Sequence, residues 1–139
     1  MTPDQEPQRV TELRVSLTVS DFERLRAFYR DTVGLTETQS WEFHGHGVVF
    51  DVGRATLELI DEEHAAFVDE VEVGGPAHTG GIRLALAVAD AEGVSAELVA
   101  GGAELLGPAH ETPWGDVNAR TRPPEGPQVT VFSPPHPSD

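Results

Sequence analysis

The sequence predicts an α+β domain made of two βαβββ modules, whose free sheet faces join into a cup-shaped mixed sheet with the helices outside. Three observations predict it. "LRVSLTVSD" (13–21) and "IRLALAVAD" (82–90) share an apolar–polar alternation, an arginine in second place and a closing aspartate. That period places one side of an extended strand in a core and the other outside. Each stretch is followed by one helix signal and then three short strand signals. Sliding the first half until Arg14 meets Arg83 also aligns Leu17 with Leu86, Val19 with Val88, Asp21 with Asp90, Glu23 with Glu92 and Ala27 with Ala96. A duplicated unit explains that register, and a unit with one helix covers only one of its sheet faces.

Residues 1–10, opening "MTPDQEPQR", read as a loose polar tail. The first module is expected over 11–62. Its strand 13–19 leads into "SDFERLRAFYRDTVGL", where Ser20 and Glu23 form a candidate capping box and Phe22, Leu25 and Phe28 an apolar stripe. Gly34 suits the helix stop. Strands are expected at 36–43, 47–52 and 55–60, with "HGHG" and "GR" as turns. Residues 63–81 form a connecting helix and linker: "DEEHAAFVDEVE" (61–72) reads as a solvated surface helix and "GGPAHTGG" as the linker. The second module, 82–134, has a strand at 82–88 and a helix from near Asp90 to Gly101–Gly102. Strands follow near 103–110, 115–122 and 127–133, and 135–139 form a polar C-terminal tail.

Composition bounds the chemistry. A chain of 139 residues fits one domain and buries a core without covalent support. The absence of cysteine excludes thiolate metal sites, disulfides and a cysteine nucleophile. Net charge is −15 and all nine basic residues are arginine, the wrong sign for a nucleic-acid partner. The acidity favours cationic partners or simply serves solubility. No secretory h-region or membrane-length apolar run is present, so a soluble cytoplasmic protein without a membrane partner is expected.

Four stretches carry a resemblance: "VSDFERLRAFYRDTVGL", "ATLELI", "PWGD" at 113–116 and the closing "PPEGPQVTVF". In this order and spacing, over roughly residues 11–134, the chain resembles the vicinal oxygen chelate superfamily of glyoxalases, extradiol dioxygenases and bleomycin resistance proteins. The resemblance implies two βαβββ modules forming a deep cup, commonly completed by dimerisation, so a homodimer is expected. Pro123 and Pro127 depart from the family's "DPDGN"-like turn. Metal-dependent members place ligands at four inward strand positions, which match Arg14, Glu58, Arg83 and Thr130 here. Of these only Glu58 suits a metal, because a guanidinium repels a cation. Neither a metal nor another cofactor is therefore expected.

In place of a metal, Arg14, Glu58 and Arg83 form a candidate Arg–Glu–Arg cluster with spare guanidinium donors for a ligand carboxylate, phosphate or enolate. The same arginines would equally serve only to neutralise Glu58 and hold the modules together. Trp41, Phe50, Trp114 and Phe132 are the aromatic candidates for a ligand; Trp41 and Phe50 also fit a core. Phe132 shares parity with Thr130, and Trp114 precedes a strand at the expected cup mouth. Asn118, Arg120 and Arg122 alternate along one strand and either grip a ligand or form a solvated edge. His44 and His46 have metal-pair spacing, but Gly45 and Gly47 mark a hairpin tip.

The expected ligand-binding set is Arg14, Glu58, Arg83, Trp114, Arg120, Thr130 and Phe132. The expected function is that of a metal-free small-molecule-binding protein. It resembles the bleomycin resistance branch, sequestering an antibiotic or related natural product. The rival is a lyase, isomerase or dioxygenase-type enzyme with Glu58 as base or metal ligand. A third reading is a structural subunit whose cup is filled by its own side chains.

Overall fold

The computed structural model describes residues 14–55, 58–77 and 80–134. Residues 14–19, expected as a strand, have no regular secondary structure, although Leu17 and Val19 are half-buried while Ser16 and Thr18 are exposed. Alternation specifies sidedness, but a strand also needs a neighbour to take its N–H and C=O groups. The same correction applies to 55–60: residues 58–60 have no regular structure, and 56–57 lie outside the described residues. The first module's described sheet is therefore a two-stranded hairpin.

Helix α1 (Phe22–Ala27) is capped by Asp21, whose side chain accepts the Arg24 N–H at 3.2 Å. The expected cap, Ser20, instead bonds the Glu125 carboxylate. The helix widens into a π-helical turn, Phe28–Thr32, in which the Val33 N–H reaches the Phe28 carbonyl at 2.9 Å. Gly34, at φ 89°, ends it as expected. Strands β1 (Thr36–Glu42) and β2 (His46–Asp51) form an antiparallel hairpin. Its turn needs positive φ at His44 (52°) and Gly45 (114°).

The hairpin packs one face on α1 and the π-helical turn that follows it. Phe22 meets the His46 ring at 5.4 Å and Tyr29 meets Phe50 at 6.4 Å. Arg26 grips Glu37 through two bonds of 2.6 and 2.8 Å. This bidentate pair holds the Glu37 carboxyl below the usual glutamate range. A register shift between Glu37 and Gln39 accommodates the change of parity along β1. Trp41, paired with Gly47, is left on the opposite, open face, its ring so close to Gly47 that a Cβ there would collide with it.

Helix α2 (Glu62–Val73) starts at Asp61, whose side chain accepts the His64 N–H at 2.9 Å, and ends at Gly74 in the left-handed region. The second module has the full βαβββ order: β3 (Leu84–Ala87), α3 (Ala91–Ala100), β4 (Glu104–Glu111), β5 (Val117–Arg122) and β6 (Val129–Ser133). Its sheet runs β3-β6-β5-β4, with β3 and β6 parallel and the other pairs antiparallel. Asp90 caps α3 by accepting the Gly93 N–H.

One apolar cluster joins Ala91, Leu98 and Ala103 with the outward side chains Ala119, Val129 and Val131 of the sheet, and Phe28 adds the first module's contribution. The α+β class and the outer position of α1 and α3 thus agree with the sequence. Among the described residues the sheets stay open and do not close into a barrel. Among the described residues no helix is long and apolar enough to cross a membrane.

Candidate functional site

Alternation on β5 and β6 decides the site. Ala119, Val129 and Val131 enter the core under α3, so Asn118, Arg120, Thr130 and Phe132 project from the other face. The register sets Arg120 opposite Thr130 and Asn118 opposite Phe132. Helix α2 lies across this inner face. Its approach is allowed by Gly107 of β4, the cross-strand neighbour of Arg120: a Cβ there would run into the Glu72 carbonyl oxygen.

The contact is ionic. Arg120, 1% exposed, directs Nε to Glu72 Oε1 (2.9 Å) and Thr130 Oγ1 (3.0 Å), Nη1 to Gln128 Oε1 (2.9 Å) and Nη2 to Asp69 Oδ1 (3.0 Å). Thr130 donates to Glu72 Oε1 at 2.7 Å, and Asn118 Nδ2 to Glu72 Oε2 at 2.9 Å. Arg83 donates from Nη1 to Asp69 Oδ1 at 2.7 Å. Gln128 Nε2 donates to the Ala77 carbonyl at 2.7 Å, tying the chain after α2 to the same cluster. The buried Asn118 Oδ1 has no hydrogen-bond partner among the described residues. His110 of β4 sets one ring nitrogen against the Val71 carbonyl (2.7 Å) and the other against that of Pro108 (2.8 Å).

Helix α2 was expected to be a solvated face; its place in the fold corrects that. Asp69 and Glu72 are its most buried residues, while Phe67 is 43% exposed. Positions 65, 68, 69 and 72 face the sheet at helical spacing, and two of the four are acids. The solvated reading failed because the guanidinium at the centre, that of Arg120, is supplied by a strand 51 positions beyond Asp69. Asp69 and Glu72 were thereby missed as site residues. Their signal was an acid pair three apart on a helix that precedes the arginine-bearing stretch 82–90.

The expected site residues divide. Arg83, Arg120 and Thr130 come together around Asp69 and Glu72. Phe132 is half-buried on the same face as Asn118. Trp114 sits in the turn closed by Thr112 and Asp116 and stands edge-on to Phe67 at 6.3 Å. Glu58 is exposed, and the carboxylates facing Arg83 and Arg120 come from α2 instead. Arg14 is exposed at the start of the described chain. Arg122 meets Glu104 at 3.1 Å on an exposed edge. Phe50 belongs to the packing against Tyr29, whereas Trp41 lies on the hairpin's open face.

The donor set does not fit a metal. Among the described residues no three His, Cys, Asp or Glu side chains gather where an ion could be held. The buried carboxylates are taken up by guanidiniums. His44 lies in the hairpin turn, and His46 bonds Glu42 at 3.0 Å.

A profile of the Glyoxalase/Bleomycin resistance protein/Dioxygenase superfamily matches residues 12–131. The chain belongs to this superfamily. No curated protein sequence matches it. Among solved structures of the superfamily's fold, it is similar to TnmS3, an antibiotic binding protein from Streptomyces sp. CB03234. That match has 25% identity and a TM-score of 0.61, covering 93% of this chain and 100% of that one. A superfamily member from Sphaerobacter thermophilus matches at 20% identity and a TM-score of 0.61, over 91% and 99% of the two chains. A lactoylglutathione lyase from Agrobacterium tumefaciens matches at 23% identity and a TM-score of 0.57, over 91% and 95%.

Proposed function

We propose that this superfamily member is a metal-free small-molecule-binding protein that sequesters an antibiotic or related natural product. The observation that carries this reading is the inner face of the second module. There Arg120, Asn118, Gln128 and Thr130 are buried together against the acids of α2, no metal-ligand set is found among the described residues, and the half-exposed Trp114 stands beside α2. Buried guanidinium forks fix a planar anionic group, and an indole face takes a flat apolar body. The similarity to an antibiotic binding protein supports the same reading. An enzyme reading needs Glu58 as base or ligand, and an exposed carboxylate is poorly placed for either role.

The protein acts as a homodimer in this proposal. The open face of the β1–β2 hairpin leaves Trp41 48% exposed, and Phe43 at its tip is 76% exposed. A second copy is the partner that would cover them. Light scattering should give twice the chain mass for the wild type and a monomer for Trp41→Glu.

The deciding experiment incubates the protein with a panel of aromatic natural products and follows each by mass spectrometry. One compound retained on the protein and recovered with unchanged mass is the expected result. Conversion of a panel member to a new species would replace the binding reading with an enzymatic one.

A further inference from the structure

Asp69 and Glu72 occupy the place that the preceding reading assigns to a ligand. We infer that α2 is an intramolecular plug: its two carboxylates stand in for those of a small anionic ligand, which must displace the helix to bind. This rests on the sequestration reading for its biological sense, but its geometry and its test are independent of it.

Four observations carry the inference. First, Asp69 and Glu72 are bound as a ligand would be, by Arg83, Arg120, Thr130 and Asn118 acting together. Second, each acid already faces a guanidinium, Asp69 both arginines and Glu72 that of Arg120. An anion can take these donors only by replacing the helix carboxylates. Third, α2 is held by charge more than by apolar packing: its phenylalanine is turned outward, and only small or branched aliphatics accompany the acids inward. An ionic contact taken out of water gives little net stability, which makes it exchangeable for a ligand bringing equivalent groups. Fourth, Asn118 Oδ1 is a buried acceptor that α2 leaves unpartnered. A ligand N–H or O–H beside its acid group would satisfy it and tip the exchange.

The ligand class that follows is a compact molecule with two acid groups, or with one acid group and an adjacent donor. It need not be large, because the contact it replaces spans a single helical turn from Asp69 to Glu72.

Phthalate, an aromatic dicarboxylate, is the probe. Gly107→Ala should push α2 off the sheet without altering any cluster side chain, since the added methyl meets the backbone carbonyl of Glu72. Gly107 has no positive φ, so alanine suits its backbone. The expected result is phthalate binding at least tenfold tighter in Gly107→Ala than in the wild type. That gain should disappear in Gly107→Ala/Arg83→Met. In the wild type, saturating phthalate should speed amide hydrogen exchange across residues 65–73. Circular dichroism melting checks each variant. Should Gly107→Ala fail to fold, Glu72→Gln, which weakens the same contact without a steric clash, takes its place in the titration. Equal affinity in wild-type and released proteins overturns the plug, as does binding that leaves α2 exchange unchanged. Failure of every natural product to bind, with the phthalate results as expected, would count against sequestration and leave the plug standing.

Discussion

Glu125 and Ser20, 105 positions apart, are joined by two hydrogen bonds: the Glu125 carboxylate accepts from the Ser20 N–H at 2.9 Å and the Ser20 hydroxyl at 2.8 Å. A third bond from the Asp21 N–H, at 2.7 Å, completes a clasp between the start of α1 and the β5–β6 turn. The two modules are thus latched at the corner where the second module's chain reverses.

This clasp is pH-dependent with a defined sign. The N–H groups of Ser20 and Asp21, with the Ser20 hydroxyl, hold the Glu125 carboxyl below the usual glutamate value. Its contribution is complete above the unfolded-state value of about 4.3 and is lost as pH falls through the lower folded value. In an NMR titration the Ser20 and Asp21 amide signals should move together in that acidic window. Glu125→Gln should abolish the movement. Signals insensitive to the substitution would show that the clasp does not form in solution.

Arg120→Met leaves Asp69 and Glu72 facing a buried apolar side chain. The expected loss is about 3–5 kcal/mol, the cost of breaking a buried ion cluster on one side. Adding Asp69→Asn and Glu72→Gln removes the stranded charges and should restore much of that loss. Urea unfolding of the wild type, the single variant and the triple variant measures both effects. An Arg120→Met loss below about 1 kcal/mol contradicts the buried cluster.

Phe28 and Phe67 provide a matched contrast. Phe28 is 4% exposed within the core, and Phe67 is 43% exposed beside Trp114. Phe28→Ala should cost about 3–5 kcal/mol. Phe67→Ala should cost under about 1.5 kcal/mol while changing Trp114 fluorescence. Similar losses at both positions would place α2 elsewhere.

Metal ions should leave the protein's stability unchanged. A metal at a thousand times its dissociation constant adds about 4 kcal/mol, roughly ten degrees for a domain of this size. Chelator-treated protein melted with excess Ni²⁺, Zn²⁺, Mn²⁺ or anaerobic Fe²⁺ is expected to shift by less than about two degrees. A rise of ten degrees with stoichiometric metal would reverse the reading of the arginine positions.

Legibility in the sequence followed the range of the interactions. Helix caps are local, so Asp90, Gly34 and the glycines after α3 were readable where the chain uses them. Ser20 misled because its partner, Glu125, lies in the other module. Strand alternation showed that Leu17 and Val19 turn inward, yet could not reveal whether a neighbouring strand takes their backbone bonds. The same limit governed the site. Parity alone linked Thr130 with Phe132 and Asn118 with Arg120, and the register shows these pairs on one face. The acids seen against Arg83 and Arg120 are Asp69 and Glu72, in a segment whose composition reads as solvated. Only the tertiary approach permitted at Gly107 makes them buried.

The uneven ownership of the core bears on how the chain assembles. Every fully buried member of the main apolar cluster except Phe28 comes from the stretch between Ala91 and Val131, with Tyr29 and Val33 packed against it from the first module. Helix α3 and the β5–β6 hairpin can meet through short loops, so a nucleus there forms early at low entropic cost. The first module then docks by inserting Phe28 and closing the Glu125 clasp. Removing Phe28 should therefore speed unfolding while barely altering the refolding rate, whereas trimming Val131 should slow refolding itself.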